Sequence, residues 1–175
     1  NLLEQVNDTR EGQWPFAAVL SCIDSRTSAE LVFDQGLGDI FSIRIAGNFA
    51  NQDILGSMEF ACNVAGSKLV VVLGHTKCGA LKGGLDAPQI EGLGMDNLNH
   101  LIYHFEPCIH EVIKEGEERS SKNEDLLERL NVCNIKSTIN DIRHQSSTLR
   151  NLEKEGKIMI VGANYDVETG VVTWL

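Results

Sequence analysis

Apolar positions in this chain fall into two rhythms. Four short runs are rich in apolar residues and read as strands: 16–21, around 39–45, 68–73 and 157–162. The third, Leu69-Val70-Val71-Val72-Leu73, is β-branched and apolar on both faces, as a central parallel strand covered on both sides would be. Between the runs the spacing turns helical. Residues 1–13 predict a polar helix stopped by Gly12, and Ser28 to Asp34 a short helix ended by Gly36. Asp53 is read as the N-cap of a helix over 54–65. There Ile54, Leu55, Met58, Ala61, Cys62 and Ala65 recur at helical spacing, and Gly66 suits the position after the last turn. Helices over about 97–115 and 124–155 fill the second half, separated by the polar run from Gly116 to Asn123. The Gly-rich stretch 82–95 reads as loop, 164–170 as a turn, and 171–174 as a last edge strand. Strands alternating with helices, with no repeat or linker between them, predict one α/β domain over residues 1–175 built on a mainly parallel sheet.

Composition narrows the function classes. The chain is 42% hydrophobic and 23% charged, and no apolar run reaches the length of a membrane span. A formal net charge of −10 argues against a nucleic-acid binder, because phosphates would be repelled and no local basic cluster offsets this. Five dispersed cysteines are not the framework of a small secreted fold. A cytoplasmic setting is expected. A periplasmic one is the alternative if a signal peptide was removed, since the sequence starts at Asn1 and reads as a trimmed or processed form.

Two of the apolar runs end in residues that bind metals. The first finishes at Cys22-Ile23-Asp24-Ser25-Arg26 and the third at Gly74-His75-Thr76-Lys77-Cys78-Gly79. In an open parallel sheet the functional crevice lies at the carboxyl ends of the strands. If the two strands are neighbours, two thiolates and an imidazole meet at one point. That donor set suits zinc, and three protein ligands with one open position is the catalytic pattern. Asp24 could take the fourth position as a conditional ligand, or accept a hydrogen bond from a bound water. Arg26 could hold the carboxylate ionised and off the metal.

Each motif also has a plainer reading. His-x-x-Cys alone is weak, a cysteine at a strand end is usually core, and Asp-x-Arg is usually a surface pair. Gly74-x-x-x-x-Gly79 is followed by Ala80-Leu81 and so fails as a phosphate loop. A Cys22–Cys78 redox disulfide would leave His75, Asp24 and Arg26 without a joint role. His100, His104 and Cys108 share helical spacing, but no glutamate stands where a His-Glu-x-x-His motif needs one, and Pro107 interrupts the helix. The histidines read as surface or interface residues, and Cys108 as unremarkable.

Taken together, Cys22-x-Asp24-x-Arg26 and His75-x-x-Cys78-Gly79 resemble the pattern of the β-class carbonic anhydrases. The likeness extends to Gly38 through Asn48, to Ser57-Met58-Glu59-Phe60-Ala61, and to Gly162-Ala163-x-Tyr165-Asp166-x-x-Thr169-Gly170. The resemblance implies a parallel four-stranded sheet flanked by helices with an added C-terminal edge strand, in a homodimer that can pair into a homotetramer. It implies Zn2+ on Cys22, His75 and Cys78, and reversible hydration of CO2 to bicarbonate by zinc-bound hydroxide that Asp24 and Arg26 orient. Gln13 would hydrogen-bond substrate or bicarbonate; Phe41, Ala46 and Phe60 would form the apolar wall, with the Gly79 backbone against the ligand. Phe60 stands where many members have Tyr. Val19 stands where members with a regulatory bicarbonate site carry Trp, so bicarbonate-driven inactivation is not expected. The N-terminal helices that embrace the partner are expected to be largely missing. CS2 or COS hydrolysis on the same scaffold, or a non-catalytic zinc module, are the alternatives. No nucleic-acid or membrane partner is expected, and none of His100, His104, His110 and His144 is assignable as a proton shuttle.

Overall fold

The computed structural model describes residues 1–87 and 94–175. In chain order these are α1 (Leu2–Thr9), β1 (Ala17–Ser21), α2 (Ala29–Val32), β2 (Ile40–Arg44), α3 (Gln52–Glu59), β3 (Leu69–His75) and α4 (Gly79–Leu85). There follow α5 (Asp96–Ile102), α6 (Glu106–Val112), α7 (Glu124–Gln145), α8 (Ser147–Lys154), β4 (Met159–Tyr165) and β5 (Val172–Trp174). The sheet order is β2-β1-β3-β4-β5. The first four strands are mutually parallel and β5 is the antiparallel edge, as the apolar runs predicted.

The two faces of the sheet bury alternate residues. Leu20, Val70, Val72 and Ile160 pack under α3, α7 and α8 with Met58, Ile135, Ile139 and Leu149. Val19, Val71, Leu73 and Ala163 face the other way, toward Ala29 of α2. Each fully buried Val or Leu contributes about 1.5–3 kcal/mol of apolar transfer, and this two-sided burial explains why the central strands read as unbroken apolar runs. A third cluster lies under the carboxyl ends of β1 and β3. It includes Cys22, Phe49, Cys78, Leu81, Leu85, Phe105 and Leu126. Among the described residues, no helix is long and apolar enough to cross a membrane.

Several boundaries differ from expectation. The N-cap of α3 is Asn51, whose side chain accepts from the Ile54 N–H at 3.0 Å; Asp53 lies in the first turn, where a carboxylate favours the helix dipole. The helix then widens into a π turn over Phe60–Val64 and ends with Gly66 at φ +85°, as read. The glycines after Cys78 do not make a loop throughout. Gly83 and Gly84 lie within α4, where a Cβ on Gly84 would stand 3.0 Å from Phe105, so the small residue permits close packing. Part of that stretch, residues 88–93, lies outside the described residues. The helix expected over 97–115 breaks into α5, a 3-10 turn at Tyr103–Phe105, and α6, with Pro107 in the first turn of α6 where its missing N–H is harmless. The 124–155 helix restarts at Ser146, which leaves helical geometry and caps α8 through its hydroxyl, accepting from Leu149 N–H at 3.1 Å. β4 continues to Tyr165, three residues beyond the predicted strand.

Candidate metal centre

β1 and β3 are direct neighbours in parallel register, with Ser21 opposite Leu73. The chain leaving β1 therefore delivers Cys22 to the same end at which β3 delivers His75. The turn after His75 carries Lys77 at φ +57° and brings Cys78 back as the residue preceding α4. One sulfur from each cysteine and one ring nitrogen of His75 lie within 4.8 Å of one another, and all three side chains are buried. The two sulfurs are 3.9 Å apart and both thiols are free, well beyond the roughly 2.0 Å of a disulfide.

The surroundings prepare these atoms as ligands. His75 Nδ1 lies 2.9 Å from the Thr76 carbonyl oxygen, which can only accept, so the proton sits on Nδ1 and Nε2 keeps its lone pair. That Nε2 is buried and has no hydrogen-bond partner among the described residues. A buried imidazole nitrogen so aligned with two thiols costs free energy unless something accepts its lone pair. The Cys22 thiol is pulled down to about 4, first by its hydrogen bond with Cys78, against the opposing effect of burial, and also by the Gly47 N–H at 3.3 Å. Cys78 is pushed up by sharing that proton and by burial. The pair thus holds one thiolate and one proton that a divalent cation would displace. Two sulfurs and one nitrogen with an orphaned lone pair fit zinc.

Asp24 stands beside this cluster, with Oδ2 4.0 Å from His75 Nε2. Arg26 grips it in a fork: Nε donates to Oδ1 at 2.9 Å and Nη2 to Oδ2 at 2.7 Å, with the Arg26 backbone N–H adding 3.0 Å to Oδ1. The Arg26 bonds, ahead of every other cause, hold the Asp24 carboxyl well below the usual carboxylate range. Thr27 closes the turn beneath, its hydroxyl donating to the carbonyls of Cys22 and Asp24.

Two residues were not singled out from the sequence. Arg44, the last residue of β2, donates from Nε to the Cys22 carbonyl at 2.9 Å and from Nη2 to the Asp24 carbonyl. Gly47, at φ +77°, aims its N–H at Cys22 and is fixed from behind by Asn134 Nδ2, which donates to its carbonyl at 2.8 Å. An arginine ending a strand beside β1 was the available signal for the first. The glycine in Ala46-Gly47-Asn48, just past β2, was the signal for the second.

The expected substrate-pocket residues are spread more widely. Gln13 is exposed between α1 and β1, Ala46 is half-buried after β2, and Gly79 is the exposed first residue of α4. Phe41 and Phe60 meet edge to face at 6.1 Å and line an open groove of about 1250 Å³ with Arg44, Gln52 and Glu59. His100 and His104 meet ring to ring at 5.3 Å, and His104 stacks on Phe49 at 4.1 Å. Both histidines are exposed whereas Cys108 is buried, and among the described residues only Cys22, His75 and Cys78 form a metal-holding group.

The carbonic anhydrase family model matches residues 17–172. The chain is 33% identical over 159 residues to carbonic anhydrase 2 of Mycobacterium tuberculosis, covering 91% of this chain and 73% of that protein. To the carbonic anhydrase of Mycolicibacterium smegmatis it is 32% identical over 170 residues, covering 97% and 79%. The solved structure of the β-carbonic anhydrase CcaA superposes with a TM-score of 0.84 at 26% identity, covering 99% of this chain and 77% of that one. The β-carbonic anhydrase CafA of Aspergillus fumigatus gives 0.83 at 27%, covering 99% and 81%. With the family model matched over residues 17–172 and thiol and imidazole donors gathered where β1 and β3 end, this chain belongs to the β-carbonic anhydrase family.

Proposed function

We propose that the protein catalyses the reversible hydration of CO2, CO2 + H2O to bicarbonate and a proton, with zinc held by Cys22, His75 and Cys78. The observation that carries this reading is the ionised Asp24 carboxylate, forked by Arg26 and 4.0 Å from the free nitrogen of His75. Zinc supplies Lewis acidity when bound, bringing the pKa of a water from 15.7 toward about 7.

The rest is done by the chain's own residues. Asp24 is an acceptor only, so an oxygen nucleophile beside it must turn its hydrogen toward Oδ2, leaving a lone pair for the substrate carbon. Arg26 donates twice to Oδ1 and once to Oδ2, leaving Oδ2 a free lone pair, and would keep Asp24 from swinging onto a metal. Arg44 and Thr27 hold the backbone of the Cys22–Asp24 turn, so the carboxylate and the sulfur keep their spacing. Gln13 would take a substrate oxygen; Phe41, Ala46 and Phe60 would give CO2 an apolar wall, and Gly79 a backbone edge. The family likeness supports these five assignments and the homodimer.

The test is stopped-flow CO2 hydration on protein of known zinc content, run beside COS and CS2. One zinc per chain with no hydration would sink the reading. Cys78→Ala should lose zinc and activity together, whereas Asp24→Ala should keep zinc and lose rate by about 10²–10⁴. Equal zinc loss in both would make Asp24 a resting ligand and refute its role as acceptor.

A further inference from the structure

Thr76 lies between two of the three donor residues, and each of its polar atoms is engaged. Its N–H donates to the Tyr165 carbonyl at 2.9 Å. Its hydroxyl donates to Asp166 Oδ1 at 3.3 Å and accepts from the Val167 N–H at 3.1 Å. Its carbonyl accepts from His75 Nδ1 at 2.9 Å. Two of these bonds run to the turn that joins β4 to β5, one to the last residue of β4, and the fourth to the ligand ring.

That turn is itself closed by Asp166. Its Oδ1 also accepts from the Glu168 N–H at 2.9 Å, its Oδ2 from the Thr169 hydroxyl at 2.9 Å, and its carbonyl from the Gly170 N–H at 2.8 Å, with Gly170 at φ +74°. A second tie runs in parallel. Lys77 adopts a left-handed backbone at φ +57°, disfavoured for a residue with a Cβ, and its ammonium sits against Glu168 of the same turn. The backbone between His75 and Cys78 is therefore strained and pinned on a turn 90 residues further along the chain.

We propose that Asp166 and Thr76 are positioning residues of the metal centre: the β4–β5 turn fixes the Thr76 peptide, whose carbonyl sets the tautomer and ring angle of His75. An imidazole carrying no such bond could turn about its Cβ–Cγ axis or take the other tautomer, and its Nε2 lone pair would leave the two sulfurs. Hydrogen bonds behind a metal-bound histidine typically matter by 10–100-fold in metal affinity. A carbonyl that is itself held in place transmits that effect from a turn no ligand touches.

The proposal rests on the reading of Cys22, His75 and Cys78 as metal ligands, and its test is zinc affinity rather than turnover. Stripped protein is titrated with zinc against a chromophoric chelator, and with Co2+ to record the ligand-field bands. Thr76→Val, which keeps shape and removes the hydroxyl, and Asp166→Ala should each weaken zinc binding about 10–100-fold and shift the Co2+ bands. Thr76→Ser should restore binding to within about threefold. The double variant should lose no more than the larger single one, since both act through one contact. A brace with a merely structural role would lower urea stability equally with and without zinc; a positioning role lowers the zinc-dependent increment. Asp166 is on a surface turn, so Asp166→Ala keeps the test alive if Thr76→Val does not fold. Unchanged affinity in both variants, or Thr76→Ser as weak as Thr76→Val, overturns the proposal alone. Failure of the wild type to take up one zinc per chain overturns the ligand assignment with it.

Discussion

Substituting Gly47 by alanine gives a sharp test of the packing behind the metal centre. At φ +77° a Cβ costs about 1–2 kcal/mol from backbone strain alone. The added carbon would also stand 2.3 Å from Cζ and 2.8 Å from Cε1 of Phe105. Phe105 is 1% exposed and meets Phe49 edge to face at 6.1 Å, so its ring has nowhere to go without moving its neighbours. Overpacking of this kind costs about 1–3 kcal/mol. Together the loss is about 3 kcal/mol, which for a chain of this size lowers the melting temperature by about 6–12 °C. Gly66→Ala is the control, because Gly66 has φ +85° but nothing within 4 Å of its Cβ position, and it should lose only the strain of about 1–2 kcal/mol. Urea unfolding of the zinc-loaded proteins measures both. The packing part should also shrink in a Phe105→Leu background, giving a coupling of about 1 kcal/mol or more. If Gly47→Ala costs no more than Gly66→Ala, the reasoning fails. Since the Gly47 N–H donates to Cys22, the same variant should also bind zinc more weakly.

Asn51→Ala should cost about 1 kcal/mol by urea unfolding and Asp53→Ala distinctly less, because Asn51 carries the cap of α3; the reverse order would contradict the assigned helix start. Glu117 is held down to about 2, first by the Lys114 N–H and then by Arg129. Its folded value lies below its unfolded value of about 4.3, so its stabilisation is present above that pH and fades as pH falls toward 2. Glu117→Gln should therefore be less stable than wild type at pH 6, with the gap closing between about pH 4.5 and 2; a constant gap refutes it. Arg26→Lys keeps the charge but loses the fork to Asp24, so CO2 hydration should fall about 10–100-fold with zinc content unchanged, measured by stopped flow and metal analysis.

The sheet was legible because β1 and β3 are buried on both faces, which leaves an unbroken apolar run in sequence. The donor residues were legible because Cys22 directly follows such a run and His75 ends another, with Cys78 three residues on. Where sequence reasoning stopped short, the deciding contact was distant. Gly83 and Gly84 look like loop until Phe105 is seen against Gly84, and Asp53 looks like a cap until the Asn51 side chain is seen two residues earlier. The break at Ser146 carried no Pro or Gly to announce it. Arg44 and Gly47 act on Cys22 through space, across 22 and 25 residues, so local spacing could not reveal them.

The parallel pairing of β1 with β3 also governs when the centre can exist. Cys22 and Cys78 are 56 residues apart, and closing a loop of that length costs an unfolded chain about 3.6 kcal/mol in entropy. His75 and Cys78, by contrast, are close enough to hold a cation before any sheet forms. The third donor arrives only when the strands have paired, so its share of the metal's binding energy is added to the sheet rather than to the open chain. If zinc is the cation held there, as proposed, its supply would bear on how long the chain survives proteolysis as well as on how fast it turns over.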